Sequence, residues 1–247
     1  MKLWKIEFFF NLLGTIIFPM GPLRKLTITT EHDVHYAVGT IQAYVRANNH
    51  KGFIMSDASD KIITNPNTKF IHQEFNSSDV FISAQSFQQN NKTIGNQIRK
   101  YVANLIINLE QITCIGGESY LYGLTGSIPN VYAYTNSSSI YEDIGFNAKF
   151  AINSNCKPIL CEYNKINQIE PSPVCLINLS SLNVSLLLAL NKLEFDRIII
   201  ISCHHGDFWK KIKYLSNYKI KSRKQFVACS LGYFLTVNIL VPATKKL

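Results

Sequence analysis

Residues 196–203 read DRIIIISC. Four consecutive β-branched residues, Ile198 to Ile201, leave no alternation between an inward and an outward face, so the run is a strand covered on both sides. Such a strand belongs inside a parallel sheet with helices against each face. In open sheets of that kind ligands collect at the carboxyl ends of the strands. Ser202, Cys203 and His204 follow at once. A cysteine there packs most simply as a small hydrophobe; its position also makes Cys203 a candidate for chemistry.

The chain from Lys92 onward agrees with that placement. KTIGNQIRKYVANLIINLE sets Ile94, Ile98, Tyr101, Val102, Leu105, Ile106 and Leu109 at helical spacing. After it, QITCI, VYAY, KPILC and VCLIN are short strand-like runs, and SSIYEDIGFNAKFAI and SSLNVSLLLALNKL between them can be helical. Strands alternating with helices predict a mostly parallel α/β sheet. YKIKSRKQFVAC and GYFLTVNILV close the chain as two strands about a short turn, which predicts an antiparallel hairpin at the carboxyl-terminal edge.

Residues 1–85 differ: short apolar runs and turn signals alternate, with no convincing helix, as in a small mixed domain rich in strands. The expected division is therefore 1–85 and 86–247. At the start, MKLWKIEFFFNLLGTIIFPMG carries an apolar run from Phe8 to Phe18, as long as a signal-peptide core and too short to span a bilayer. Glu7 interrupts its basic region and no small-residue cleavage pattern follows. A packed strand or helix is the simpler reading, a targeting segment the alternative, and a membrane partner is not expected.

Lys and Arg number 25 against 16 Asp and Glu, a formal charge of +9, and the excess is uneven. Residues 210–224 hold Lys210, Lys211, Lys213, Lys219, Lys221, Arg223 and Lys224 and no acid. Such a run suits a polyanion, most simply RNA or DNA phosphate, although a solvated face also accounts for it. The six cysteines show no C-x-x-C spacing, so neither a disulfide framework nor a zinc site is expected. His32 and His35 have H-x-x-H spacing but no third ligand, and no metal is expected. An intracellular, reducing compartment follows, with an organelle or a virion as other settings.

The order of elements, ending in two strands after the last helix, is similar to the class I S-adenosylmethionine-dependent methyltransferase fold. ISAQSFQQNNKTIGNQIRKYVANLI resembles the segment of the RNA uracil-C5 methyltransferase family that reads Phe-Phe-Gln-x-Asn before a helix: Phe87, Gln89 and Asn91 match, and Gln88 replaces the second aromatic. RIIIISCHHGDFWKKIKYLSNYKIKSRKQF resembles the same family's strand ending in Ser-Cys, and Asn147 matches its helix after the second strand. The resemblance implies that Cys203 is a nucleophile toward a uracil ring, with Gln89 reading the base, and that Gly116, Gly117, Asn136 and Asn178 lie where S-adenosylmethionine would bind.

The departures from that family are as specific. Ile112 stands at the first-strand acid, Glu118 at the second glycine, where a side chain would intrude on the cofactor, and Thr135 at the acid for the ribose. Asn178 to Ser181 replace Asp-Pro-Pro-Arg, and Thr236 replaces the glutamate base. The leading expectation is a catalytically inactive relative of the fold that docks on RNA or a ribonucleoprotein through its basic carboxyl-terminal part. A divergent active RNA uracil-C5 methyltransferase, with Glu118, Glu142 or Asp143 standing in for a lost acid, is the second. A structural subunit of a virion or organelle assembly, held by protein partners, is the third.

Overall fold

The computed structural model describes residues 23–27, 52–56, 62–65, 70–76, 78–83, 92–151, 153–163, 166, 172–179, 181–203, 205–227 and 234–243. The chain divides into two compact units, 1–74 with 79–92, and 75–78 with 93–247. In the first, β1 (Leu23–Thr27) pairs in parallel with β2 (Gly52–Ser56), which pairs antiparallel with β3 (Ile62–Asn65). β4 (Phe70–Phe75) and β5 (Ser78–Ser83) form a separate two-stranded sheet.

The isoleucine run is β10 (Arg197–Ser202), inside a seven-stranded sheet of the second unit. The others are β6 (Gln111–Ile115), β7 (Asn130–Thr135), β8 (Asn155–Leu160), β9 (Val174–Asn178), β11 (Tyr218–Val227) and β12 (Phe234–Pro242), in the order β11-β12-β10-β9-β6-β7-β8. β10, β9, β6, β7 and β8 are parallel, whereas β12 runs antiparallel to both β10 and β11. The expected mostly parallel sheet with an antiparallel carboxyl-terminal hairpin is the observed one. Strand order reverses between β6 and β9, so the crevice of the fold opens at their carboxyl ends.

Ile198, Ile199, Ile200 and Ile201 are all at most 4% exposed, which requires a layer against each face. Ile198 and Ile200 join Ile115, Cys175, Ile177 and Leu240 in a core packed by α4 (Val184–Leu190) through Leu186, Leu187 and Leu190, and by α5 (His205–Lys211) through Phe208. Burying the four isoleucines stabilises the sheet by roughly 6–12 kcal/mol, an upper bound because unfolded chains already shield apolar surface.

α1 (Lys92–Leu105) buries the predicted Ile94, Ile98 and Val102 but stops short of the apolar pattern, which runs on to Leu109. Ile107 turns to solvent and Asn108 takes a left-handed φ of 62°, a conformation that Asn tolerates and that ends a helix. α3 (Ser138–Ala148) is capped by Ser137, whose hydroxyl accepts from the Ile140 N–H, and α4 by Asn183, which accepts from that of Leu186. α2 (Ser119–Thr125) has no counterpart in the sequence reading. Residues 119–124 are all buried, so it carries no polar face to betray its period.

Candidate functional site

β6 is followed by Gly116 and Gly117, with φ of +71° and +43°. A Cβ on Gly116 would collide with Leu179 Cδ2 and lie 3.0 Å from the Asn178 carbonyl oxygen; one on Gly117 would lie 2.6 Å from that oxygen. The glycines are therefore required by the chain's own loop after β9. In the resembling family they would leave space for the methionine end of S-adenosylmethionine. Here Leu179 and the Asn178 carbonyl pack directly against the Cβ positions of the two glycines.

Glu118 follows the glycines and is buried, with Oε2 3.3 Å from Arg99 Nη2. Arg99 also donates from Nη1 to Asn96 Oδ1 at 3.2 Å, and its guanidinium lies 4.4 Å from the centroid of the Phe75 ring. Phe75 meets Tyr122 edge to face at 5.0 Å. Glu118 thus joins α2 to α1. Asp143 is buried beside Tyr120, where Asn147 donates to the Tyr120 phenol at 3.3 Å and to the Asp143 carbonyl at 2.8 Å. Burial, then Asp143, pushes the Tyr120 phenol well up. Glu142 is exposed.

A cleft of about 480 Å³ opens beside the carboxyl ends of β7 and β9, lined by Asn136, Tyr163, Leu179, Leu182, Asn183 and Lys211 among others. None of Glu118, Glu142 and Asp143 lines it. Burial pushes the Tyr163 phenol up to about 12, against hydrogen bonds to the Asn136 backbone and Thr135, so it stays a neutral donor. Lys211 is held in place: Nζ lies 2.7 Å from Asp207 Oδ1 and donates to the Leu182 carbonyl at 2.7 Å and Ser181 Oγ at 3.1 Å. Asp207 accepts in turn from the Leu182 N–H at 3.1 Å and Ser181 Oγ at 3.2 Å. Desolvation acts to raise the Asp207 carboxyl, but Lys211, Leu182 and Ser181 together bring it below its ordinary value.

Cys203 sits just past β10, half-buried. Burial pushes its thiol up, outweighing a backbone hydrogen bond at Cys203 that acts the other way. Cys114, Cys156, Cys161 and Cys175 are raised by burial too, so nothing in its electrostatics sets Cys203 apart as a nucleophile. Across the ladder from Ser202 stands Thr236, buried, donating to the Ser202 carbonyl at 3.4 Å and accepting from Asn238 Nδ2 at 3.0 Å. A hydroxyl so placed is no base at neutral pH. Gln89, Phe87, Asn91, His204, His32 and His35 lie outside the described residues, as does the amino-terminal apolar run.

Apart from Lys211, the basic run lies elsewhere. Lys219, Lys221 and Lys224 are exposed and Arg223 half-buried on β11, the sheet's edge strand; Lys210 and Lys213 are exposed in and after α5. Several of these cations lie over aromatic rings that the sequence did not connect with them. Lys224 Nζ is 4.3 Å from the Tyr101 centroid and 5.4 Å from that of Phe226; Arg223 is 5.4 Å from Trp209, and Lys213 5.4 Å from Tyr214. The adjacency of FW and KK at 208–211 was the available signal. Among the described residues no cluster of three His, Cys, Asp or Glu side chains is placed to hold a metal, and no helix is long and apolar enough to cross a membrane.

No protein-family model matches this chain, and no curated protein matches it in sequence. Solved structures do match in fold. The tRNA (uracil-54, C5)-methyltransferase of Pyrococcus abyssi, in complex with S-adenosyl-L-homocysteine, superposes with a TM-score of 0.62 at 17% identity, over 78% of this chain and 52% of that one. The M. jannaschii tRNA m1G37 methyltransferase superposes with a TM-score of 0.65 at 13% identity, over 92% and 74%. The complex of aTrm5 with tRNALeu gives 0.61 at 12%, over 90% and 70%. This chain spans about half the length of the first. With the strand order already described, these likenesses show that the chain has the Rossmann-like class I methyltransferase fold and that its structural neighbours include RNA methyltransferases.

Proposed function

We propose that this chain is a methyltransferase-fold protein that does not transfer methyl groups and that binds RNA, alone or within a ribonucleoprotein, through its basic carboxyl-terminal part. The residues at the resembling family's acidic positions carry the first half of that reading: Ile112 and Thr135 stand at the two cofactor acids, and neither can accept a ribose hydroxyl as a carboxylate would. The unactivated Cys203 thiol and Thr236 in place of a base agree with it. Fold alone assigns no chemistry. RNA as partner is supported by the seven cations of residues 210–224 and by tRNA in the neighbour complex.

Calorimetric titration with S-adenosylmethionine and S-adenosylhomocysteine tests the first half; no heat at millimolar ligand is expected, and micromolar binding would overturn it. For the second half, Lys211 is engaged with Asp207, which leaves six cations of the run for phosphate. The slope of log affinity against log salt is then expected near about −4 for single-stranded RNA. Replacing Lys219, Lys221 and Lys224 by Gln is expected to flatten it by about 2. An unchanged slope would remove these residues from the interface.

An active RNA uracil-C5 methyltransferase using Cys203 and Gln89 is the second reading, favoured by the place of Cys203 at the end of β10 and by the activity named for the first neighbour. Turnover of labelled S-adenosylmethionine on uracil-containing RNA, lost in Cys203→Ala, would establish it.

A further inference from the structure

We infer that the RNA taken by the basic edge is single-stranded and that its bases stack on Trp209, an inference that rests on the RNA-binding reading above. Trp209 is 44% exposed while its neighbour Phe208 is 1% exposed and part of the sheet core. The two rings meet edge to face at 5.3 Å and 80°, so the indole rests at the surface against a side chain packed into the core. Arg223 lies over this ring. Ladder register explains why: Arg223 pairs with Asn238 and Asn238 with Ile200, whose side chain packs with Phe208 of α5, so Arg223 stands on the α5 face of the sheet. Its Nε is buried and finds no acceptor among the described residues.

On the opposite face of the same strand, Lys224 lies over Tyr101, which meets Phe226 at 5.9 Å. β11 thus carries phosphate-binding cations along its length and a ring beside the cations on each face. Lysines on an edge strand also discourage edge-to-edge pairing, and that account suffices for Lys219 and Lys221. It gives no reason to leave a tryptophan at the surface beside them. A duplex keeps its bases stacked inside and would meet only the charges, whereas a single strand offers a π-face at every base to an indole and a guanidinium. The occupant that uses everything present is the single strand.

The full chain contains two tryptophans, Trp4 and Trp209, so in a Trp4→Phe background Trp209 is the sole indole reporter. At low salt, unstructured single-stranded RNA is expected to quench its fluorescence and to bind more tightly than a duplex of equal length. Trp209→Ala is expected to lose on the order of tenfold in single-strand affinity and nothing in duplex affinity, with Trp209→Phe keeping most of it. Anisotropy of labelled RNA, with circular dichroism as the folding control, separates the failures. Equal binding of both RNAs with an unquenched Trp209 would overturn the stacking inference and leave RNA binding standing. Failure to bind either RNA at low salt, or equal competition by polyglutamate, would overturn the RNA-binding reading itself.

Discussion

Replacing Glu118 by Gln separates the two roles that the residue has been given. In the structure its carboxylate is an internal partner, 3.3 Å from Arg99, with side-chain exposures of 3% and 7%. Breaking a buried pair by removing one charge typically costs about 3–5 kcal/mol, because the remaining ion is left without compensation. Arg99 keeps Asn96 Oδ1 and the Phe75 ring, which places E118Q at the lower end, about 3 kcal/mol. For a chain of this size that is a fall of about 6–12 °C in the unfolding midpoint, read by circular dichroism. Arg99→Met alone removes the guanidinium from the buried carboxylate and is expected to cost about as much. The double variant R99M/E118M exchanges both ions for apolar side chains and is expected within about 1 kcal/mol of the natural chain, at least about 5 kcal/mol better than the sum of the two single costs. An E118Q protein with an unchanged midpoint would refute the internal role.

Gly116→Ala is expected to cost about 2 kcal/mol or more in urea unfolding, because φ is +71° and the new methyl meets Leu179; adding Leu179→Ala should relieve the contact and leave the backbone strain, and no recovery would refute the packing account. Alkylation of Cys203, followed by peptide mass spectrometry, is expected to rise with pH only above the range of an ordinary thiol; a thiolate already reactive at neutral pH would refute the environment described. The Asp207 carboxyl is lowered in the folded state, so its stabilisation is complete above the pKa of the unfolded chain and is lost as pH falls through the lower folded value. Lys211→Ala is expected to weaken that loss on acidification below about pH 4, measured as midpoint against pH, and an identical profile would refute the coupling.

How much of this was legible in the sequence depended on whether a residue's role is set by its neighbours along the chain or across it. The isoleucine run, QITCI and VCLIN announced buried strands because a two-sided strand has no alternation to hide. The end of α1 was not announced, since Ile107 is apolar and yet exposed, and only the backbone of Asn108 marks the stop. α2 was silent for the opposite reason, being buried all round. At the candidate site, the substitutions at Glu118, Thr135 and Thr236 were visible as departures from a family pattern. The partners were not: Arg99 precedes Glu118 by 19 residues, and Leu179 lies 63 residues beyond Gly116. The rings beneath Arg223 and Lys224 come from α5 and α1, which only the fold brings to β11.

One consequence of the topology separates the crevice from the basic edge. A crevice exists at the switch point because the loops after β6 and β9 leave in opposite directions. In this chain the loop after β9 returns against the glycines, and the acid beside them faces Arg99. What stays open is the neighbouring cleft at Asn136 and Tyr163, where Lys211, its one cation among the described residues, is tied to Asp207 and the Leu182 carbonyl. Lys219, Lys221, Arg223 and Lys224 of the basic run lie instead four strands away from β6, on β11, where side chains project from both faces of an edge that no other described strand of the sheet covers. A polyanion at that edge need not enter the crevice, and a ligand in the cleft need not touch the edge. Under the proposed reading, substitutions on β11 should alter RNA affinity without altering occupancy of the cleft, and substitutions at Asn136 or Tyr163 should do the reverse. Strong coupling between the two would place the RNA at the end of β10 beside Cys203 and favour the enzyme reading instead.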